Sequence, residues 1–307
     1  ERNTKTLVYA YNPDMKLAPG SLSKIITALV VVERVPDLDA VVTVGAGIAS
    51  RIPGGATSAK LKSEEQMSVR DLLHLLILQN AADAAVALAE YVAGTRSAFV
   101  DLMNQRVKQI GCINTSFTDV HGVGSGNQYT TARDMIRIMM EATENPIMFE
   151  LLSTQKYTVE ATNLSDKRTF ASLNYLMETT IVPKYNYKQV TSGFASYSAN
   201  TGASVVCTAD SSTETKQGLN LVCVVMGATR QFAENGWTVN NYGNFDEMVA
   251  LLEYAYKNFK VNRVIYEGMT MEEFPVSGGS NDAVGVADVN IDSVLPAKAQ
   301  MKNLIRN

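Results

Sequence analysis

What this sequence of 307 residues has little of narrows its function before any motif is read. Its three cysteines, Cys112, Cys207 and Cys223, are an odd number at spacings that fit no metal site. Neither a disulfide framework nor a zinc centre is therefore expected, and buried free thiols are. There is no excess of basic residues: 27 Lys and Arg against 31 Asp and Glu leave a net charge of -4, which speaks against nucleic acid as a partner. No run of eighteen apolar residues occurs, because the longest candidates are broken by Thr27, or by His74, Gln79, Asn80 and Asp83. Nothing reads as a membrane span. Internal repeats and low-complexity segments are absent too.

What is present suits a globular chain. With 46% hydrophobic and 19% charged residues it can build a sizeable core, as one large domain or a large one with a small companion. The first residue is Glu1 rather than methionine, as expected of a processed product whose signal peptide, and any anchor, lie outside this sequence.

The stretch "TLVYAYN" reads as a strand closed by the turn signal "NPD". A helix follows in "APGSLSKIITALVVVE", where only Thr27 is polar between Ile25 and Val32; a helix apolar all round belongs at the centre of a domain. "SVRDLLHLLILQN" opens with Ser68 and Asp71 in a capping-box arrangement, and "AADAAVALAEYVAG" is a second helix stopped by Gly94. Further helices are expected at "SAFVDLMNQRVKQIG", at "TTARDMIRIMMEAT" behind Thr131 and Asp134, and at "FDEMVALLEYAYKNF". "GASVVCTAD" and "LNLVCVVMGA" read as a hairpin at the centre of a sheet. This order predicts an α+β (mixed α/β) domain with helices inserted between parts of one sheet. After about Lys260 short apolar alternations with Gly, Asn and Asp turns suggest a small β-rich second domain.

One polar pair stands at the mouth of the apolar helix, Ser21 and Lys24. Ser-x-x-Lys occurs about once by chance in a chain of this length, and the second match, Ser153 to Lys156, lies at a helix end with no apolar setting. Context distinguishes the first. Positions i and i+3 share a helix face, burial would lower the lysine pKa towards that of a usable general base, and a helix N-terminus offers an N–H where an oxyanion would form. The plainer reading makes Ser21 an N-cap and lets Lys24 reach for solvent.

Taken together, "APGSLSKIITALVVVE", "MSVRDLLHLLILQNAADAAVALAEYVAG" and "INTSFTDVHGVGSGNQYTTARDM" resemble the low-molecular-weight penicillin-binding proteins that act as serine-type D-alanyl-D-alanine carboxypeptidases. The likeness runs from about Thr6 to Asn262. It implies a penicilloyl-serine transferase, or β-lactamase-like, fold over residues 1–262 and the start of a β-rich C-terminal domain over 263–307. The implied fold is an antiparallel sheet packed by helices, with the active site in the groove beside a helical subdomain. The implied substrate is the D-Ala-D-Ala end of a peptidoglycan stem peptide, with β-lactams as further ligands. Ser21 would be the nucleophile and Lys24 its base, in the cell envelope outside the cytoplasm. Any membrane association would be peripheral and use parts outside this chain. No metal or organic cofactor is expected.

Two of the family's three motifs differ here. Where the family reads Ser-x-Asn followed by Asp, this chain reads Asn80, Ala81, Ala82 and Asp83. The Asn80 amide can hydrogen-bond Lys24 but cannot relay a proton as a hydroxyl does, and Ala82 offers nothing polar to substrate. The Lys-Thr-Gly motif aligns with Phe194, Ala195 and Ser196, or in a shifted register with Thr191, Ser192 and Gly193, and neither has a lysine. The second oxyanion N–H would come from Tyr197, or from Phe194 in the shifted register. A desolvated substrate carboxylate without a cation costs several kcal/mol; Lys184, Lys188 or Arg168 could supply one. His121, in "DVHGVG", is expected to be a hydrogen-bonded structural histidine. These departures leave two further readings open. One is a catalytically silent protein that binds peptidoglycan or serves as a scaffold; the other is a hydrolase of substrates lacking the terminal carboxylate.

Overall fold

The structure is a computed structural model that describes residues 1–123, 127–177, 180–213, 218–236, 238–265, 270–274, 283–286 and 291–296. The chain divides into two compact units.

The larger unit comprises residues 11–209 and 222–250. Its centre is α1 (Lys24–Arg34), in which every residue from Lys24 to Val32 is buried. The apolar sequence dictates this, since no face of the helix could profitably meet water. After β1 (Val41–Thr43) and β2 (Gln66–Ser68), which pair antiparallel, α2 (Val69–Leu78), α3 (Ala82–Ala93) and α4 (Arg96–Gln109) pack on it. So do α5 (Ala132–Glu144) and α6 (Pro146–Ser153). The caps are those the sequence announces. Ser68 and Asp71 form a reciprocal capping box on α2, Thr131 accepts from the Asp134 N–H on α5, and Gly94 ends α3 in the left-handed conformation that glycine adopts at little cost. Helix α6, unforeseen, starts on an Asn145 cap with Pro146 at its first position.

An antiparallel hairpin, β3 (Lys156–Val159) with β4 (Arg168–Ala171), follows the helices. Strands β5 (Val190–Ser198), β6 (Gly202–Asp210) and β7 (Asn220–Ala228) then form a sheet in the order β5-β6-β7, which puts β6 in the middle and β5 at an edge. Cys207 on β6 and Cys223 on β7 are buried free thiols, as is Cys112. A small ladder of β8 (Arg230–Phe232) and β9 (Val239–Tyr242) precedes α7 (Gly243–Asn258).

The smaller unit comprises residues 1–10, 210–221 and 251–307. In it β10 (Phe259–Ile265) pairs antiparallel with β13 (Ile291–Pro296), and β11 (Thr270–Phe274) with β12 (Ala283–Val286). Most of the remainder of 263–307, where a β-rich domain is expected to begin, lies outside the described residues. The strand expected in "TLVYAYN" is not formed: Leu7, Tyr9 and Tyr11 are all exposed, so the alternation buries no face and no ladder holds it.

Candidate active site

Ser21 lies in a tight 3-10 turn, Gly20–Ser23, immediately before α1 rather than in the first turn of the α-helix itself. The difference matters chemically, because side chains three apart eclipse in a 3-10 turn. Lys24 Nζ donates to Ser21 Oγ at 2.9 Å and to the main-chain oxygen of His121 at 2.6 Å. Ser21 makes no capping bond. Lys24 is 0% exposed, so it does not reach for solvent. Burial lowers its pKa to about 7, against the raising effects of the Asp119 and Asp83 charges. A large share of neutral amine at physiological pH, bonded to a hydroxyl, is the arrangement that can take the hydroxyl's proton.

A loop holds this pair in place. Thr27 Oγ1 donates to Val120 O at 2.8 Å, one turn along α1 from the Lys24 bond to His121 O. Asp119 accepts from the main-chain N–H groups of His121 and Gly122 and from Gln128 Nε2. Burial acts to raise the Asp119 pKa, but hydrogen bonds and charge from His121 and these N–H groups outweigh it and hold the carboxyl well below the usual range. Gly122 has φ +76°, and a Cβ there would stand 1.8 Å from Gly20 O and 2.5 Å from Ser23 Oγ. Only glycine lets this loop meet the Ser21 turn. The His121 ring accepts from Val123 N at 3.2 Å, while its carbonyl is what engages Lys24.

The wall between α2 and α3 carries the altered second motif. Asp83 is fixed by Ser58 Oγ at 2.6 Å and by the N–H groups of Ala59 and Leu61, both at 3.0 Å, which fastens the segment before β2 to the first turn of α3. Ala82 is buried and its N–H donates to Thr57 O at 2.8 Å, so it presents only a methyl. Asn80 has φ +54°, a conformation asparagine tolerates better than most residues. The expected bond from its amide to Lys24 is not the one made: Asn80 Nδ2 donates to Ala195 O on β5, at 2.9 Å.

The opposite wall is β5, against which the Gly20–Ser23 turn packs. Asn80 meets this wall at Ala195, within the Phe194–Tyr197 segment. In the alternative register, Ser192 is buried and bonded to Thr208 Oγ1 at 2.6 Å, and Gly193 lies against Asn174 and Val206. Phe194 is 1% exposed and belongs to the same core as α1, while Ala195 and Ser196 are also buried. Backbone direction alternates along a strand, so Tyr197 presents its main chain on the same edge as Ala195.

Of the cations that could stand in for the missing lysine, Arg168 is paired with Glu65 at 2.6 Å and Lys184 lies over the Tyr185 ring at 4.5 Å. Lys188 is exposed and makes no described ion pair. Sequence reasoning missed Arg230. Its guanidinium sits 4.2 Å from the Tyr197 ring centre and 4.8 Å from that of Tyr242, with no acidic partner among the described residues. Burial lowers its pKa, against the nearby tyrosines. Its local motif, "ATRQF", carries no signal; only folding brings β8 beside the end of β5.

No group of three or more His, Cys, Asp or Glu suited to a metal occurs among the described residues.

Comparison with known proteins identifies the family and the fold. Residues 1–230 match the D-alanyl-D-alanine carboxypeptidase family. The chain is 29% identical to the D-alanyl-D-alanine carboxypeptidase DacC of Escherichia coli K12 over 301 residues, which is 95% of this chain and 68% of the relative. It is likewise 29% identical to DacA of Haemophilus influenzae, over 92% of this chain and 66% of that one, so it spans about two thirds of their length. The crystal structure of penicillin binding protein 5 from Haemophilus influenzae superposes with a TM-score of 0.75 at 27% identity, covering 97% of this chain and 81% of the other. DacD from Francisella tularensis shares the fold with a TM-score of 0.76 at 21% identity, covering 96% and 79%. An apolar central helix entered by a bonded Ser21–Lys24 pair, a penicillin-binding-protein fold and a family match over three quarters of the sequence lead to one conclusion: the chain belongs to the D-alanyl-D-alanine carboxypeptidase family of serine hydrolases.

Proposed function

We propose that this chain removes the terminal D-alanine from peptidoglycan stem peptides in the cell envelope, through an acyl-serine intermediate on Ser21. The observation that carries this reading is the 2.9 Å bond between Ser21 Oγ and a buried lysine whose pKa is near 7. Neutral Lys24 takes the hydroxyl proton as Ser21 Oγ attacks the penultimate carbonyl carbon. The oxygen that becomes negative is met by main-chain N–H groups of Ser21 and Tyr197. Lys24 returns its proton to the leaving amine of D-alanine, and then activates the water that hydrolyses the ester. Asn80, Ala82 and the Phe194–Tyr197 strand line the groove. Arg230, a guanidinium without an acidic partner among the described residues, is our candidate for the charge that meets the substrate carboxylate in place of the family's lysine. β-Lactams would acylate the same serine. We also read residues 1–262 as the domain that carries this chemistry and 263–307 as the start of a second, β-rich one. No helix among the described residues is long and apolar enough to cross a membrane.

Steady-state release of D-alanine from a pentapeptide mimic tests the proposal. Turnover that Ser21→Ala abolishes supports it. Binding of the peptide without turnover would favour the silent binding protein, and preference for esters lacking a carboxylate would favour altered specificity.

A further inference from the structure

The loop that meets α1 closes on a charge. One carboxylate oxygen of Asp119, Oδ1, accepts from the main-chain N–H of His121 at 2.9 Å and from that of Gly122. The other, Oδ2, accepts from Gln128 Nε2 at 2.9 Å, and His121 Nδ1 stands 3.1 Å from Oδ1. Burial works against the charge, but His121 and these N–H groups keep the carboxyl ionised. A side chain bonded to the N–H groups two and three positions on fixes the turn between them. The carbonyl held there is that of His121, which accepts from Lys24 Nζ at 2.6 Å.

A neutral asparagine oxygen could take the same two N–H bonds, so what aspartate adds is charge. Little else around Lys24 competes with it. Asp83, in the first turn of α3, is already met by Ser58 Oγ and two N–H groups. Strand β5 has no charged residue between Val190 and Ser198. On the helices, Arg106 is paired with Glu33 and Glu141, Arg137 with Asp134 and Glu90 with Arg51, and Asp71 accepts from Tyr157. Burial keeps His74 of α2 neutral, with a pKa lowered to about 4. Burial likewise lowers the Lys24 pKa, and of the two charges that oppose it Asp119 acts more strongly than Asp83. A lysine left to burial alone would be neutral but a feeble base.

We propose that Asp119 is the positioning residue of the acylation centre: through the turn it closes it aims the His121 carbonyl at Lys24, and its charge makes Lys24 a strong enough base for the Ser21 hydroxyl. This inference rests on the proposed function for the roles of Ser21 and Lys24, but its first readout is a titration that needs no turnover.

The test follows the Lys24 ε-carbon signal by NMR in protein carrying isotope-labelled lysine, assigned with Lys24→Met, for the wild type, Asp119→Asn and Asp119→Ala. Asparagine keeps the turn and removes the charge, so the Lys24 midpoint should fall by about one pH unit from its wild-type position near 7. The pH midpoint of penicillin acylation should move with it, and acylation above that midpoint should slow about threefold, because a weaker base transfers the proton less well. Alanine loses the turn as well and should slow acylation about a hundredfold at every pH. A purely structural aspartate would leave both midpoints of Asp119→Asn at their wild-type values, and that result overturns the inference. Where Asp119→Asn does not fold, Gln128→Lys, which sets an ammonium against Asp119 Oδ2, should lower the same midpoint, and an unmoved midpoint there overturns it equally. Absence of a penicilloyl adduct on wild-type protein would instead count against the enzymatic reading, and the NMR titration would still decide the role of Asp119.

Discussion

The two walls of the groove differ in how fully they are built. On the side of α1 the polar groups around Ser21 are tied together: Lys24 bonds Ser21 and His121, Thr27 bonds Val120, Asp119 ties the loop, and Gly122 permits its approach. On the side of β5 a buried phenylalanine stands where a lysine is expected, and from the α2–α3 loop, which Ala82 follows where an asparagine is expected, Asn80 lies across the gap. The lesson is that the machinery for forming an acyl-serine and the machinery for holding an extended peptide are separable. On our proposal, the residues of the first are kept here and those of the second are changed.

The largest effect should come from breaking the built wall. Lys24→Arg replaces a base of pKa near 7 by a permanent cation, and the rate of serine acylation should fall by about 10²–10⁴. A reactive β-lactam followed by mass spectrometry measures it. Gly122→Ala should destabilise the fold by about 2–5 kcal/mol in denaturant unfolding, because the new Cβ meets Gly20 O and the backbone is left-handed.

Attempting to restore the other wall should fail. Phe194→Lys places an ammonium in the core and should cost about 3 kcal/mol or more without recovering activity on D-Ala-D-Ala peptides. Recovery of turnover with stability intact would show that the two walls are not independent. Arg230→Ala should weaken binding of carboxylate-bearing ligands by about tenfold while leaving a neutral ester unaffected.

The pH dependence sharpens the same contrast. Acylation should rise with pH through a midpoint near 7 as Lys24 loses its proton, a profile that Arg230→Ala leaves in place. Stability follows with a definite sign. Between about 7 and its ordinary value of 10.5, Lys24 binds fewer protons folded than unfolded, so its contribution rises with pH over that window, and the full cost is present below it. Lys24→Met should accordingly raise the melting temperature most below pH 7, and the gain should shrink towards pH 10.

Much of this was legible in the residues. The apolar run after Lys24 announced a central helix, Ser68 with Asp71 and Thr131 with Asp134 announced their caps, and the Ser21–Lys24 spacing announced a polar pair on one face. These are local signals, set by spacing within a few positions. What stayed hidden depends on where distant segments meet. No pattern near Asn80 says that its amide crosses to Ala195, 115 residues away. Nothing in "ATRQF" places Arg230 over Tyr197, and the aromatic alternation near the N-terminus looked like a strand because sequence does not show whether a partner edge exists.

The most direct test of the central claim, that Ser21 and Lys24 form a working acylation centre, is intact-protein mass spectrometry after incubation with a reactive penicillin, run beside Ser21→Ala. The account predicts a single penicilloyl adduct on the wild type and none on the variant. No adduct on the wild type at high concentration and long times, or an adduct that survives Ser21→Ala, would contradict it.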